Sequence, residues 1–415
     1  MFTIFEPSEQ KWPIKVWLEN PGQIEADCLQ QARNLANLPF IHQWVALMPD
    51  THSGYGMPIG GVIAAKDVII PNAVGVDIGC GMTFVQTNIP VKPLVEMETP
   101  NGKLAQAIVG DILRNLPTGF EHHRERQECV AIRRFLKNLT AEETAAMPPA
   151  LMKELENGYF QIGTLGGGNH FVELQTDERG FLGIMVHSGS RNFGYKICHF
   201  FNDRAREANR LSGSSIPEKW DLAYLPTDSK YGKSYIRWMN LAAEFAKENR
   251  DRMMEMALNR VRELVGKHAG IKEILYDEPV SCHHNYAALE EHYGEKVWVH
   301  RKGAIRAGKG EMGIIPGAMG STSFLVKGRG NPESFESCSH GAGRRMSRHE
   351  AKEQFPVEET IRDLKNLGVF LGKQKKHDVG EESRFAYKDI DFVIANELDL
   401  IESVKKLRTV AVIKG

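Results

Sequence analysis

Histidine recurs in this chain in short segments flanked by glycine or asparagine, where neither a helix nor a plain apolar strand accounts for it. These are PDTH at 49–52, GTLGGGNHFVE at 163–173, VHSGSR at 186–191 and CHHNY at 282–286. Segments so far apart act together only if loops from several elements meet at one place. With further glycine-rich runs extending to 343, the pattern predicts one α+β domain over 1–415, with mixed β-sheets flanked by helices and loops converging on one site.

The elements read accordingly. Segments 44–50 (WVALMPD) and 62–70 (VIAAKDVII) read as buried strands bracketing a glycine-rich loop. Apolar positions have helical spacing over 102–116. A long helix is predicted over 231–266, where Ile236, Met239, Ala243, Ala246, Met253, Met256, Val261 and Leu264 return at threes and fours. Its methionines read as core packing. Strands are expected at 182–187, 296–300 and 323–327, then a helix over 389–408 and a closing strand, VAVIK, while the polar stretch 373–384 reads as a solvated loop.

An apolar fraction of 42% supports a substantial core. No run reaches the roughly 18 consecutive apolar residues of a membrane span, and the N-terminal MFTIFEPSEQKW is acidic where a signal peptide is basic. A cytoplasmic address is the expectation. Six cysteines are too sparse for a disulfide scaffold, so Cys28, Cys129 and Cys198 read as ordinary buried thiols. The formal charge of −1 means that any nucleic acid must be held by a local basic surface.

Chemistry concentrates in three groups of residues. In GVDIGCGM at 75–82, Asp77 and Cys80 lie three apart among glycines that let a backbone approach a ligand. Alone, the pair is equally a glycine-bearing turn around a buried thiol, and each histidine alone is equally a satisfied core residue. Together they form a mixed oxygen, nitrogen and sulfur donor set that suits Zn, Fe or Mn better than Mg or Ca. Finally, IIPGAMGSTSFLVKG at 314–328 and CSHGAGRRMSRHEAK at 338–352 combine turn N–H groups, hydroxyls and the cations Arg344, Arg345 and Arg348. That is the chemistry of a phosphate cradle, or else of a surface turn followed by a basic helix face. Neither a G-x-x-x-x-G-K-[ST] loop nor a strand–G-x-G-x-x-G–helix is present, and the K-x-D-G of lysine-nucleophile ligases is missing.

The ordered set MPDTHSGYGMPIGG, GVDIGCGM, GTLGGGNHFVE, HSGSR, CHHNY, PGAMG and CSHGAGR resembles the RtcB family of RNA-splicing ligases, with AYKDID at 386–391 and a final VIKG extending the match. The resemblance implies two Mn²⁺ ions bridged by Cys80, with Asp77 and His170 on one and His187 and His284 on the other; His284 is preferred to His283 because it directly precedes the Asn. It makes His340 the residue that takes GMP from GTP, and gives Asp50 an orienting role near His340 or the metal. Asn169 goes to the phosphates and Glu173 to the guanine edge, with Ser323, Tyr387, Lys414, Gly341 and Ala342 around the nucleotide. The implied reaction joins RNA 3′-phosphate or 2′,3′-cyclic phosphate ends to 5′-hydroxyl ends. Arg191, Arg344 and Arg345 are candidates for RNA phosphates, and an archease-type activator is a candidate partner. Ala318 departs from the family, where serine is common. Two other functions use part of the same set: a binuclear metallophosphoesterase needs the metals but no covalent nucleotide, and an RNA-binding scaffold needs neither.

Overall fold

The computed structural model describes residues 1–145, 147–376 and 378–415. Two mixed sheets carry the fold. The first runs in the spatial order Phe2–Ile4, Ile14–Val16, Ile41–His52, Ile59–Ala65, Glu295–Lys302 and Asn285–His292. The second runs Val280–His283, Gly81–Pro90, Phe181–Ser188, Phe171–Thr176, Ile401–Lys414, Thr322–Gly328 and Met312–Ile315, with Phe370–Gly372 pairing in parallel to the C-terminal strand. Val280–His283 belongs to the second sheet and Asn285–His292 to the first, so His284 is the single residue between them.

Register in the second sheet decides where chemistry can occur. Gly81 faces both Ser188 and His283, His187 faces both Met82 and Phe171, and Phe171 faces Lys414. Cys80, His170, His187, His284 and Lys414 are therefore all at, or one residue beyond, the same end of adjacent strands. Side chains at strand ends leave the hydrogen-bonded ladder and can converge.

The long helix spans Lys230–Ala269, capped by the Ser229 side chain accepting from the Gly232 N–H and closed by Gly270 in the left-handed region. Its apolar stripe, including Trp238, Met239, Phe245, Met253, Met254 and Val261, is buried against the neighbouring helices and the second sheet. The methionines expected to pack do so. All six cysteines are free, with Cys28, Cys129 and Cys198 buried. Among the described residues no helix is long and apolar enough to cross a membrane.

Most expected elements form, with limits shifted by a few residues, but three readings need correction. Segment 62–70 is not one strand: it breaks at Asp67, whose φ of 56° makes a turn between Ile59–Ala65 and Val68–Ile69. The helix expected over 389–408 is only Ile390–Ala395, and Ile401–Lys414 is a strand. IESVKKLR has helical composition, but pairing with Thr322–Gly328 on one side and Phe171–Thr176 on the other overrides propensity. The stretch 373–384, apart from His377, which lies outside the described residues, is not simply solvated: Val379, Gly380 and Glu382 are buried in a short 3₁₀ turn.

A buried ion pair ties the first sheet to the segment that leads to His340. Fully buried Arg301 donates to Glu290 (Nη2–Oε2 3.0 Å), to Ser337 Oγ (2.8 Å) and to the Phe335 carbonyl (2.9 Å). Arg301→Met leaves the Glu290 carboxylate without its guanidinium partner, with only His292 Nε2 (3.0 Å) beside it, which is expected to cost about 3–5 kcal/mol in urea unfolding. Adding Glu290→Leu should recover much of that loss; a double variant no more stable than the single one contradicts this account.

Candidate metal centre and adjoining pocket

Cys80 Sγ lies 3.4 Å from Nε2 of both His170 and His187, and the three ligand atoms are within 4.8 Å of one another, all buried. The opposite nitrogens are engaged: His170 Nδ1 donates to the Leu165 carbonyl (3.0 Å) and His187 Nδ1 to the Asn169 carbonyl (3.1 Å). A carbonyl can only accept, so each Nδ1 carries a proton and each Nε2 is directed at Cys80. Burial first, then the nearby imidazoles, holds the His187 pKa well below the ordinary histidine range, leaving it a neutral base.

Asp77 joins through Oδ2, 3.1 Å from His170 Nε2, while its Oδ1 accepts from the Ser190 N–H at 3.0 Å. A Cβ on Gly189 would fall 2.2 Å from both Asp77 oxygens, so only glycine lets the two loops meet there. His284 stacks edgewise on His187 (5.2 Å between centroids) and on His340 (4.7 Å), and its buried Nδ1 has no partner among the described residues. Asp77 and His284 thus flank the compact Cys80–His170–His187 trio rather than belonging to it. Burial, followed by the charge of Asp77, pushes the Cys80 thiol up, so a thiolate here calls for a cation. Converging lone pairs, this thiol and an orphaned imidazole nitrogen fit a divalent metal.

Beside the trio opens a pocket lined by His52, Asn169, Phe171, Glu173, His187, Gly317, Ala318, His340, Gly341, Ala342, Arg344, Arg348, Glu382, Tyr387 and Lys414. His340 Nδ1 is 2.6 Å from Oδ2 of Asp50, which also accepts the His340 backbone N–H at 3.2 Å. Asp50 is fully buried. Gly343, with φ of 71°, would place a Cβ 2.1 Å from the Asp50 carbonyl oxygen, so the loop after His340 can press onto Asp50 only as glycine. Across the pocket, buried Glu382 accepts from Lys414 Nζ (3.1 Å) and from the Tyr387 hydroxyl (2.7 Å), and Arg344 donates to that hydroxyl at 3.1 Å. Burial opposes ionisation of Glu382, but Lys414 and Arg348 hold its carboxyl below the usual range. A larger space, about 300 Å³ around Arg206, Asn209 and Arg210, contains no histidine or cysteine; donor chemistry, not size, locates the site.

Residues 31–415 match the family model described as tRNA-splicing ligase RtcB. The chain is 39% identical to the RNA-splicing ligase RtcB of Escherichia coli K12, covering 97% of both chains. It is 31% identical to the tRNA-splicing ligase RtcB of Pyrobaculum aerophilum over 98% of this chain and 95% of that one. The chain belongs to the RtcB family.

In this RtcB protein the sequence-derived candidates fall into two neighbouring groups. Asp77 and His284 adjoin the Cys80–His170–His187 trio of the candidate metal centre, and Asn169, Glu173, His340, Gly341, Ala342, Tyr387 and Lys414 line the pocket with Asp50 directly behind His340. Ser323 stands outside the lining: its Oγ accepts from the Gly317 N–H and from Gln175 Nε2, and Gln175 also donates to Glu173 at 2.7 Å. Arg191 and Arg344 direct donors inward, Arg191 to Thr164 Oγ1 and the Gly119 carbonyl, Arg344 to Tyr387, Glu382 and the Glu381 carbonyl. Arg345 is exposed.

The histidine of PDTH, His52, stands in the pocket wall, while sequence reasoning missed three residues that shape this site: Glu382 in the same wall, and Asn249 and Arg250 on the long helix. Asn249, fully buried, accepts from the N–H groups of Gly163 and Thr164 and donates to the Thr164 carbonyl, Ser188 Oγ and the Gly189 carbonyl. Arg250 donates to the carbonyls of Gly79 and Ser188 and to Thr83 Oγ1. Three ligand-bearing loops are thus fastened to one helical turn. A signal existed: 246, 249, 250 and 253 share the spacing of the buried stripe, and a polar pair there needs partners. Asn249→Leu keeps the volume and removes the bonds. It is expected to weaken divalent-metal binding about 10- to 100-fold, the usual effect of losing a group that orients ligands. Titration of the metal-free protein followed by calorimetry checks this; unchanged affinity in a folded variant contradicts it.

Proposed function

We propose that the chain is a GTP- and Mn²⁺-dependent RNA ligase that joins 3′-phosphate or 2′,3′-cyclic phosphate ends to 5′-hydroxyl ends through a covalent His340–GMP adduct, in RNA splicing or repair. The observation that carries the reading is the 2.6 Å contact between His340 Nδ1 and buried Asp50. A carboxylate there takes the Nδ1 proton as a hydrogen bond and leaves Nε2 as the lone pair, the arrangement of an oriented imidazole nucleophile. Family membership, and relatives named as RNA-splicing ligases, support the same conclusion.

On this reading His340 Nε2 attacks the α-phosphorus of GTP; a P–N bond forms and the bond to pyrophosphate breaks. An oxygen of the RNA 3′-phosphate then attacks the adduct, taking GMP and returning His340. The 5′-hydroxyl finally displaces GMP to make the phosphodiester, its proton passing to solvent or a nearby base. Asp77, Cys80, His170, His187 and His284 would hold two divalent ions, which neutralise phosphate charge. The Asp50 carboxylate stabilises the charge that His340 acquires, and Asp50, on a strand of the first sheet, keeps the nucleophile beside His284. Glu173 and Lys414 would contact the nucleotide, with Glu382 and Tyr387 fixing the Lys414 ammonium. Free thiols throughout suit a reducing, cytoplasmic setting, and an archease-type activator is a partner to test.

Incubation with α-labelled GTP and Mn²⁺ should label the protein through an acid-labile, alkali-stable bond, and His340→Ala should abolish the label while metal binding persists. Labelling of His340→Ala would overturn the assignment. Label-free wild type that still opens a cyclic phosphate favours the metallophosphoesterase.

Glu173 adds a pH dependence. Burial raises its carboxyl to about 7, against hydrogen bonds from Gln175 and Thr409. Guanine offers N–H donors on the edge assigned to Glu173, so an ionised carboxylate binds best. The KM for GTP is expected to rise as pH falls through about 7, and Glu173→Gln should give a higher, flat KM. An equally steep rise in Glu173→Gln contradicts this role.

A further inference from the structure

The three consecutive glycines before Asn169 bring different elements to the mouth of the site. At Gly166 a Cβ would meet Arg191 and His170; at Gly167 it would lie 3.6 Å from the Gly119 Cα; at Gly168 it would lie 2.7 Å from the Arg348 guanidinium. The loop following Pro117 and the start of the helix Arg348–Gln354 therefore sit on the glycine turn that carries ligand His170.

That loop is held at both ends. Gly119 donates its N–H to the Gly166 carbonyl at 2.9 Å and accepts from Arg191 on its own carbonyl, and Leu165 N–H bonds to the Pro117 carbonyl. Further on, His123 N–H bonds to the Phe160 carbonyl and Gln127 N–H to that of Tyr159. Between these anchors the Glu121 N–H closes a turn on the Thr118 carbonyl, and the turn presents Phe120, the most exposed large apolar side chain among the described residues. A phenyl ring held fully in water by a turn anchored to the catalytic loop has no packing role to account for it.

We propose that Phe120 is a stacking platform for an unpaired base of the RNA strand whose end enters the metal centre; this rests on the ligase reading above. Single-stranded ends offer bases free to stack on aromatic rings, and stacking accepts any base. The loop itself favours stacking over charge: exposed Glu121 and Glu125 offset Arg124 and Arg126, whereas Arg348, exposed on the other side of Gly168, can take a backbone phosphate.

The test uses the full-length protein and a fluorescein-labelled single-stranded RNA with a 5′-hydroxyl end. By anisotropy, Phe120→Ala should weaken binding roughly 5- to 100-fold, the range expected for loss of one base–aromatic contact, and Phe120→Trp should restore it. Scanning an abasic nucleotide along the RNA should find one position that weakens wild-type binding by a similar factor and leaves Phe120→Ala binding unaffected. Equal affinity of wild type and Phe120→Ala, or no abasic position sensitive to the variant, overturns the proposal. Ligation of the same RNA by wild type is scored separately: its failure removes the ligase reading, while the binding ratio still decides the role of Phe120.

Discussion

Everything at the centre depends on the demand of buried polar backbone for partners. The segments at Gly79–Cys80, Gly163–His170 and Ser188–Gly189, which hold or adjoin Cys80, His170 and His187, leave the regular ladders, and their carbonyls and N–H groups face the interior, where an unmade hydrogen bond is costly. Asn249 and Arg250 meet that demand from a rigid helix. Flexible segments become a fixed donor array because one helical turn satisfies all of them at once. The same logic appears at His170 and His187, whose Nδ1 atoms are spent on carbonyls so that Nε2 has only one direction to point.

His340, the proposed nucleophile, is organised by different means. His340 follows the strand Ser337–Ser339, which pairs with Ala304–Arg306, and Gly303 and Ala304 both donate to the His284 carbonyl. Arg301 fastens the same segment through Phe335 and Ser337. The first sheet, through Asp50 and Arg301, therefore sets where His340 stands, and the second sets where Cys80, His170 and His187 stand. Within the pocket, polar groups are partnered before any substrate arrives: Glu382 is paired with Lys414 on one side, and Asp50 accepts from His340 on the other.

Much of this was legible in the sequence because the chemistry-bearing residues sit in glycine-rich motifs that no helix or strand explains. The long helix was legible from its periodicity. What escaped notice was long-range. Asn249 and Arg250 hide inside a stripe that otherwise reads as core, Glu382 lies in a polar run whose burial is set by Lys414 at the far end of the chain, and the strand Ile401–Lys414 has a helix former's composition until its neighbours are known. Local pattern reports what a segment prefers; partners tens or hundreds of residues away decide what it does.

His284 is the only residue between a strand of one sheet and a strand of the other. A linker of one residue has no slack, so a rigid-body rotation of either sheet is transmitted directly to this imidazole, which touches His187 on one side and His340 on the other. The two halves of the reaction centre are geared together at that point. Insertions, which loops elsewhere tolerate, would uncouple them here, and the ligand that spans the joint doubles as its clasp.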